Sequence, residues 1–116
     1  DERTHIAGVF DHRLRKKMRL QTDPTVIYGL LPDFDGNITR KNLRQATPYN
    51  TYVIKRLPPT PIAMAGAASI LAAAMPKATQ DLFFVATGNG GHAFAETLKQ
   101  HQKNVQDYLR NRRSQQ

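Results

Sequence analysis

Two short stretches of this 116-residue chain hold more hydrogen-bonding and aromatic groups than packing alone requires. One is Leu20-Gln21-Thr22-Asp23-Pro24-Thr25 with Tyr28; the other is Pro48-Tyr49-Asn50-Thr51-Tyr52. Together they supply amides, a carboxylate, hydroxyls and three phenols. That inventory suits a sugar, whose hydroxyl and acetamido groups take directional hydrogen bonds while a ring face rests on an aromatic. The sequence therefore predicts that both stretches face one cleft. Asp23 has a structural reading beside the functional one, because Asp followed by Pro fits an N-cap and the first helical position.

Other chemistries fare worse. The chain has no cysteine, which excludes a disulfide framework, a thiolate zinc site and a cysteine nucleophile. Gly88 to Gly91 joins two apolar runs and lacks the Lys-Ser/Thr of a phosphate loop, so it reads as a hairpin turn. No G-x-S-x-G elbow is present; Ser69 lies in an alanine run and Ser114 in the polar tail. His5 and His12 could share a helix face, but no further ligand stands at tight spacing, so no metal is expected. Glu2 and Glu96 are the only glutamates, and no two carboxylates can be set across a sugar as most glycosidases need. Glu96 suits the first turn of a helix.

The charge is lopsided. Seventeen Lys and Arg oppose nine Asp and Glu, a formal +8. The cations cluster at Arg13, Arg15, Lys16, Lys17 and Arg19, at Arg40, Lys41 and Arg44, and at Arg110, Arg112 and Arg113. Such a surface favours a polyanion: a carboxylate-rich polymer, anionic lipid headgroups or nucleic acid. The plain alternative is a set of solvated helix ends, which cations suit at a C-terminus. No recognition helix or RNA-binding sheet motif is legible, so nucleic acid is not expected as a partner.

The elements that must position these groups are short. Ile6, Phe10, Leu14 and Met18, flanked by Val9, recur at helical spacing. A short helix is expected from Pro24, ended by Gly29 and Pro32; Thr39 caps a second over residues 40–45. Tyr49 to Ile54 has the composition of an extended stretch. Ala67 to Met75 reads as an alanine-rich buried packing helix stopped by Pro76. Residues 82–95 read as a β-hairpin around the glycine turn. Thr97 and Gln100 form a candidate capping box for a last helix with Leu98, His101, Val105, Tyr108 and Leu109 on one face, before a tail that frays from Asn111. The sum is an α+β class: a compact single domain with a small antiparallel sheet, several short helices and a C-terminal helix.

On these blocks the chain resembles the YceG-like family, the endolytic murein transglycosylases also called MltG. The blocks are Val9-Phe10 with Arg13-Leu14, then Met18 to Gly29 containing LQTDPT, then Thr47 to Tyr52 containing PYNTY. They continue through Leu57-Pro58-Pro59, Pro61-Ile62, Gly66, Ser69-Ile70, Ala72-Ala73, Pro76, Phe83 to Ala86, Gly90-Gly91-His92 with Phe94, and His101. Arg56 and Thr60 stand where the family prefers glycine, and Met64-Ala65 where it has Asn-Pro; these are loop changes.

The resemblance implies cleavage of the MurNAc–GlcNAc bond within nascent peptidoglycan strands without water, leaving a 1,6-anhydro-MurNAc end. It implies an enzyme on the extracytoplasmic, periplasmic side of the bacterial inner membrane, held by an upstream transmembrane helix and preceded by a LysM-like portion. Peptidoglycan strands would be the partner, with the cell-wall synthesis machinery and an anionic membrane surface as further ones. The family's catalytic glutamate lies upstream of the pair matching Glu2-Arg3 and is expected before Asp1. Residues 1–116 are therefore expected to be a truncated catalytic domain with no catalytic residue of its own. The substrate-binding set implied is Gln21, Asp23, Thr25, Tyr28, Tyr49, Asn50, Thr51, Tyr52, His92 and Phe94. No cofactor is expected. An older label for some members, aminodeoxychorismate lyase, would require a Schiff-base lysine and a phosphate cup, and Lys77 and Lys99 lack that setting. A noncatalytic glycan-binding module is the first competing function, and a basic nucleic-acid-binding domain ranks behind it.

Overall fold

The computed structural model describes residues 2–114, and Cα packing divides the chain into two compact units. Asp1, Gln115 and Gln116 lie outside the described residues. One unit comprises residues 1–12 and 66–116; the other comprises residues 13–65. The architecture is α+β: five helices and one two-stranded antiparallel sheet among the described residues.

The first unit is built around the hairpin. Strand β1 (Phe83–Ala86) pairs with β2 (His92–Ala95), with Phe83 opposite Ala95 and Ala86 opposite His92. The turn closes through Thr87 N–H to the Gly91 carbonyl at 3.0 Å, and Gly88 and Gly90 take the positive φ it requires. The C-terminal helix, α5 (Leu98–Ser114), packs on both strands, with the Phe83 ring stacked on His101 at 5.0 Å. Leu98, expected on its inner face, is exposed. Thr97 Oγ1 accepts from Gln100 N–H, but the Gln100 side chain turns to Asn104, so only half of the capping box forms. The helix does not fray at Asn111; it continues through Ser114.

Helix α1 (Arg3–Arg15) sets its first half against this sheet through Phe10, whose ring meets Phe84 edge-on at 5.6 Å. The helix stops before Met18, because Lys17 adopts φ 60° and the Met18 N–H closes back on the Arg13 carbonyl. His5 and His12 both hold Asp81: His5 Nε2 lies 2.7 Å from its Oδ2, and His12 Nδ1 lies 3.1 Å from its carbonyl. His5 also stacks on Phe94 at 3.4 Å. These histidines act in packing.

The alanine run forms helix α4 (Ala67–Ala74), but it is not a buried packing helix. Ala72 alone of its residues is buried, while Ile70 is 58 % and Leu71 62 % exposed. Alanine supplies helix propensity here without the side-chain bulk that would make a broad inward face.

The second unit holds α2 (Asp23–Leu30) packed on α3 (Arg40–Arg44) and otherwise consists of turns and loops. Thr39 caps α3 in a reciprocal box with Asn42. Its interior is unusually polar: beside Leu20 and Val26 it buries Arg13, Thr25, Asn50 and Thr51. Among the described residues no helix is long and apolar enough to cross a membrane.

Candidate functional site

The LQTDPT and PYNTY stretches lie against each other in the second unit. Gln21 N–H donates to the Thr51 carbonyl at 3.1 Å, and Thr22 N–H to Thr51 Oγ1 at 2.8 Å. Thr51 Oγ1 lies 2.8 Å from Thr25 Oγ1, which in turn donates to the Thr22 carbonyl at 2.7 Å. These bonds seal the buried seam between the two segments and satisfy the hydroxyls within it. Thr25 and Thr51 are thus buried in the seam, and Thr51 is fully buried.

Asn50 is buried too, at 1 % exposure. Its Nδ2 donates to the carbonyls of Gln45 (2.8 Å), Leu43 (3.1 Å) and Asn42 (3.4 Å), while Oδ1 accepts from Tyr52 N–H at 2.9 Å. This is why Tyr49 to Ile54 is not the extended stretch its composition suggests. One amide gathers the end of α3 and bends the chain into turns, with Val53 and Ile54 N–H both returning to the Asn50 carbonyl.

The outer side of the seam is aromatic and polar. Asp23 does not cap α2; Thr22 is the N-cap residue, Asp23 is the first helical residue and Pro24 follows it. The Asp23 carboxylate instead accepts from the Tyr52 phenol at 2.7 Å. Burial, and then that bond to a carboxylate, push the Tyr52 pKa up to about 12. Tyr28 and Tyr49 meet with ring centroids 4.6 Å apart, and the Tyr49 hydroxyl lies 2.8 Å from Thr60 Oγ1. Gln21 is exposed and held at φ 54°, a left-handed conformation that disfavours a glutamine. Such strain persists where the surroundings over-determine it.

Part of that determination comes from Arg13, which sequence reasoning placed in a surface cluster. It is buried, and its Nη1 donates to the carbonyls of Arg19 (2.6 Å) and Leu20 (3.2 Å), just before Gln21. Burial lowers its pKa. The available signal was its spacing, four residues after Val9 on an apolar helix face. Gly29 does not end α2 either, since the helix runs to Leu30 and Leu31 is its C-cap. Gly29 is small because a Cβ there would collide with Thr47 Oγ1.

His92 and Phe94 belong to the first unit, on one face of β2. His92 Nδ1 lies 2.8 Å from Glu2 Oε1, and its backbone N–H donates to Oε2 at 3.2 Å. The hydrogen bond from His92 holds the Glu2 carboxyl below its ordinary value. Phe94 is covered by the stacked His5 ring. Among the described residues no group of three or more His, Asp or Glu could hold a metal ion.

Comparison with known proteins fixes the family. A model of the YceG-like family matches residues 1–107. The chain belongs to the YceG-like family. It is 46 % identical over 108 residues to an endolytic murein transglycosylase of Bacillus subtilis, covering 93 % of this chain and 30 % of that protein. A crystal structure of a putative YceG-like protein from Listeria monocytogenes superposes with a TM-score of 0.80 at 44 % identity, covering 89 % of this chain and 34 % of that one. The chain thus spans about a third of the length of the relatives it matches. The LQTDPT and PYNTY blocks that carried the resemblance are the two segments sealed together in the second unit.

Proposed function

We propose that this YceG-like chain is the substrate-gripping part of a peptidoglycan lytic transglycosylase that cleaves MurNAc–GlcNAc bonds within glycan strands. The observation that carries the reading is the seam of satisfied threonines that holds together the two segments bearing Gln21, Asp23, Tyr28, Tyr49 and Tyr52, the five residues of the proposed face. Phenol rings offer a surface for a sugar ring, and the amide and carboxylate offer directional contacts to its substituents. Thr25, Asn50 and Thr51 serve that face from beneath, because their polar atoms are already engaged. The 46 % identical relative, named an endolytic murein transglycosylase, supports the same substrate.

The reaction needs one carboxylic acid. The acid protonates the leaving glycosidic oxygen as that C–O bond breaks. The MurNAc 6-hydroxyl oxygen bonds to the anomeric carbon, and its proton passes to the resulting carboxylate. No second residue has to activate water. Glu2 is ill suited, because its carboxyl is held low by His92 whereas a general acid requires a raised pKa. The family resemblance puts the acid in a segment preceding Asp1, and this chain would position the sugar for it. On this reading the enzyme is itself membrane-anchored and works outside the cytoplasm, where nascent strands emerge.

The test digests purified peptidoglycan and seeks anhydro-muropeptides by mass. A longer protein containing residues 1–116 and the preceding segment yields them; residues 1–116 alone yield none. Anhydro product from residues 1–116 alone would place the acid within them, with Glu2 the first suspect. Muropeptides with ordinary reducing ends would show hydrolysis and overturn the reading.

A further inference from the structure

The positive charge of this protein is concentrated in one unit. Residues 13–65 contain ten Lys and Arg against three Asp, a balance of +7. The other unit contains seven against six, a balance of +1. Nearly the whole net charge therefore lies on the unit that bears the proposed sugar face.

Its placement within that unit is specific. Gln21 N–H donates to the Thr51 carbonyl, and two residues further out on both segments Arg19 Nε–H donates to the Val53 carbonyl at 3.1 Å. The two segments thus stay together from Gln21 and Thr51 to Arg19 and Val53, with Lys16 and Lys17 just before the one and Lys55 and Arg56 just after the other. The exposed cations there include Lys16, Lys17, Arg19, Lys55 and Arg56. No carboxylate lies within residues 13–22 or 48–57, so nothing in either segment neutralises them. Of the cations beside this turn, Arg13 is buried beneath as the strut that shapes the segment.

We propose that this cationic rim binds the carboxylates of the peptide stems carried by the glycan, making the stem a determinant of substrate choice. The inference rests on the sugar-binding reading above. N-acetylated sugars are neutral and give five clustered cations nothing to match. A stem peptide hangs from alternate sugars of the strand and carries several free carboxylates. A rim continuous with the sugar face meets those substituents first when a strand is seated. Exposed ion pairs are individually weak, about 0.2–1 kcal/mol, so two or three acting together shift affinity about five- to tenfold.

The experiment titrates the 116-residue chain with soluble glycan oligomers bearing stems and with the same oligomers stripped of them by an amidase. Stemmed oligomers bind about five- to tenfold tighter at low salt, and the difference shrinks as salt shortens the screening length. The triple variant Lys16→Glu/Lys55→Glu/Arg56→Glu, its fold checked by circular dichroism, loses the preference yet binds stripped oligomers as before. Equal affinity for the two glycans, or a preference that survives the triple variant, overturns the proposal while leaving sugar binding intact. Binding to neither glycan overturns the sugar-binding reading and this inference with it. Variant-sensitive capture by phosphatidylglycerol vesicles without any stem preference gives the rim to a lipid surface and overturns the proposal.

Discussion

The Tyr52 phenol donates to the Asp23 carboxylate at 2.7 Å, tying the second candidate stretch to the first residue of α2. The pair is a cross-segment latch, and its energetics differ from those of a helix cap. A double-mutant cycle separates the two. Asp23→Ala and Tyr52→Phe each cost about 0.5–1.5 kcal/mol in chemical denaturation, and together they cost less than their sum by about 1 kcal/mol. Strict additivity would show that the latch contributes nothing and leave Asp23 with its favourable place at a helix N-terminus alone.

The same latch predicts alkaline behaviour. Tyr52 has its folded pKa raised to about 12 from an ordinary 10.0. Between those values the unfolded chain releases the proton while the folded chain keeps it, so stability falls as pH rises from 10 towards 12. Ultraviolet titration should show one of the four tyrosines ionising late, and Asp23→Asn should bring it down. Four phenols titrating together near the ordinary 10.0 would contradict the latch.

Two helical glycines depart from one rule in the same direction and differ in what rescues them. An alanine inside a helix ordinarily stabilises by about 1 kcal/mol over glycine. At Gly29 the new Cβ meets the Thr47 side chain, and at Gly8 it meets the Lys77 backbone carbonyl. Both Gly→Ala variants should therefore melt lower, by about 1–3 kcal/mol of overpacking. Adding Thr47→Ala rescues Gly29→Ala, since the obstacle is a side chain. No side-chain change at Lys77 rescues Gly8→Ala. Thermal melts of the single and double variants decide it.

The hairpin, the Thr39-capped helix and the contact between the two polar stretches were legible in the sequence, because each rests on local turn, cap or compositional chemistry. Asn50 was read as a contact residue, and its three captured carbonyls come from a helix five to eight residues away. Arg13 was read with its charged neighbours, although helical spacing placed it on the face of Val9. Asp23 matched a cap signature, yet its carboxylate found a phenol 29 residues on. In each case a polar partner outside the residue's own element overrode a local preference, and single-sequence periodicity carries no information about such partners. The alanine helix failed for another reason: apolar composition all round gives propensity without specifying a buried face.

Asn50 itself carries the largest stability prediction. Removing its side chain takes the donor from the Leu43 and Gln45 carbonyls, while the Asn42 carbonyl keeps the Gln45 N–H. Asn50→Ala should cost about 2–4 kcal/mol in denaturant melts. Asn50→Asp should be worse, because a carboxylate would face those carbonyls with no donor. A loss under about 0.5 kcal/mol for both would mean that the loop re-forms without the amide.

Glu2 and His92 provide the last test, and it bears on the acid. The Glu2 carboxylate takes both the His92 ring and its backbone N–H, tying the start of α1 to the edge of the hairpin. Its folded pKa lies below the ordinary 4.5, so the clasp is present in full above that value and is lost as pH falls through the lower folded pKa. Amide exchange at His92 should quicken in Glu2→Ala, while exchange in β1 stays slow. Carboxyl titration by NMR should find Glu2 ionising below the ordinary 4.5, and His92→Ala should raise it towards that value. A Glu2 carboxyl titrating above the ordinary range would reverse the argument. It would then have the poise of a general acid, and the search for the catalytic carboxylate would turn from the segment before Asp1 to Glu2 itself.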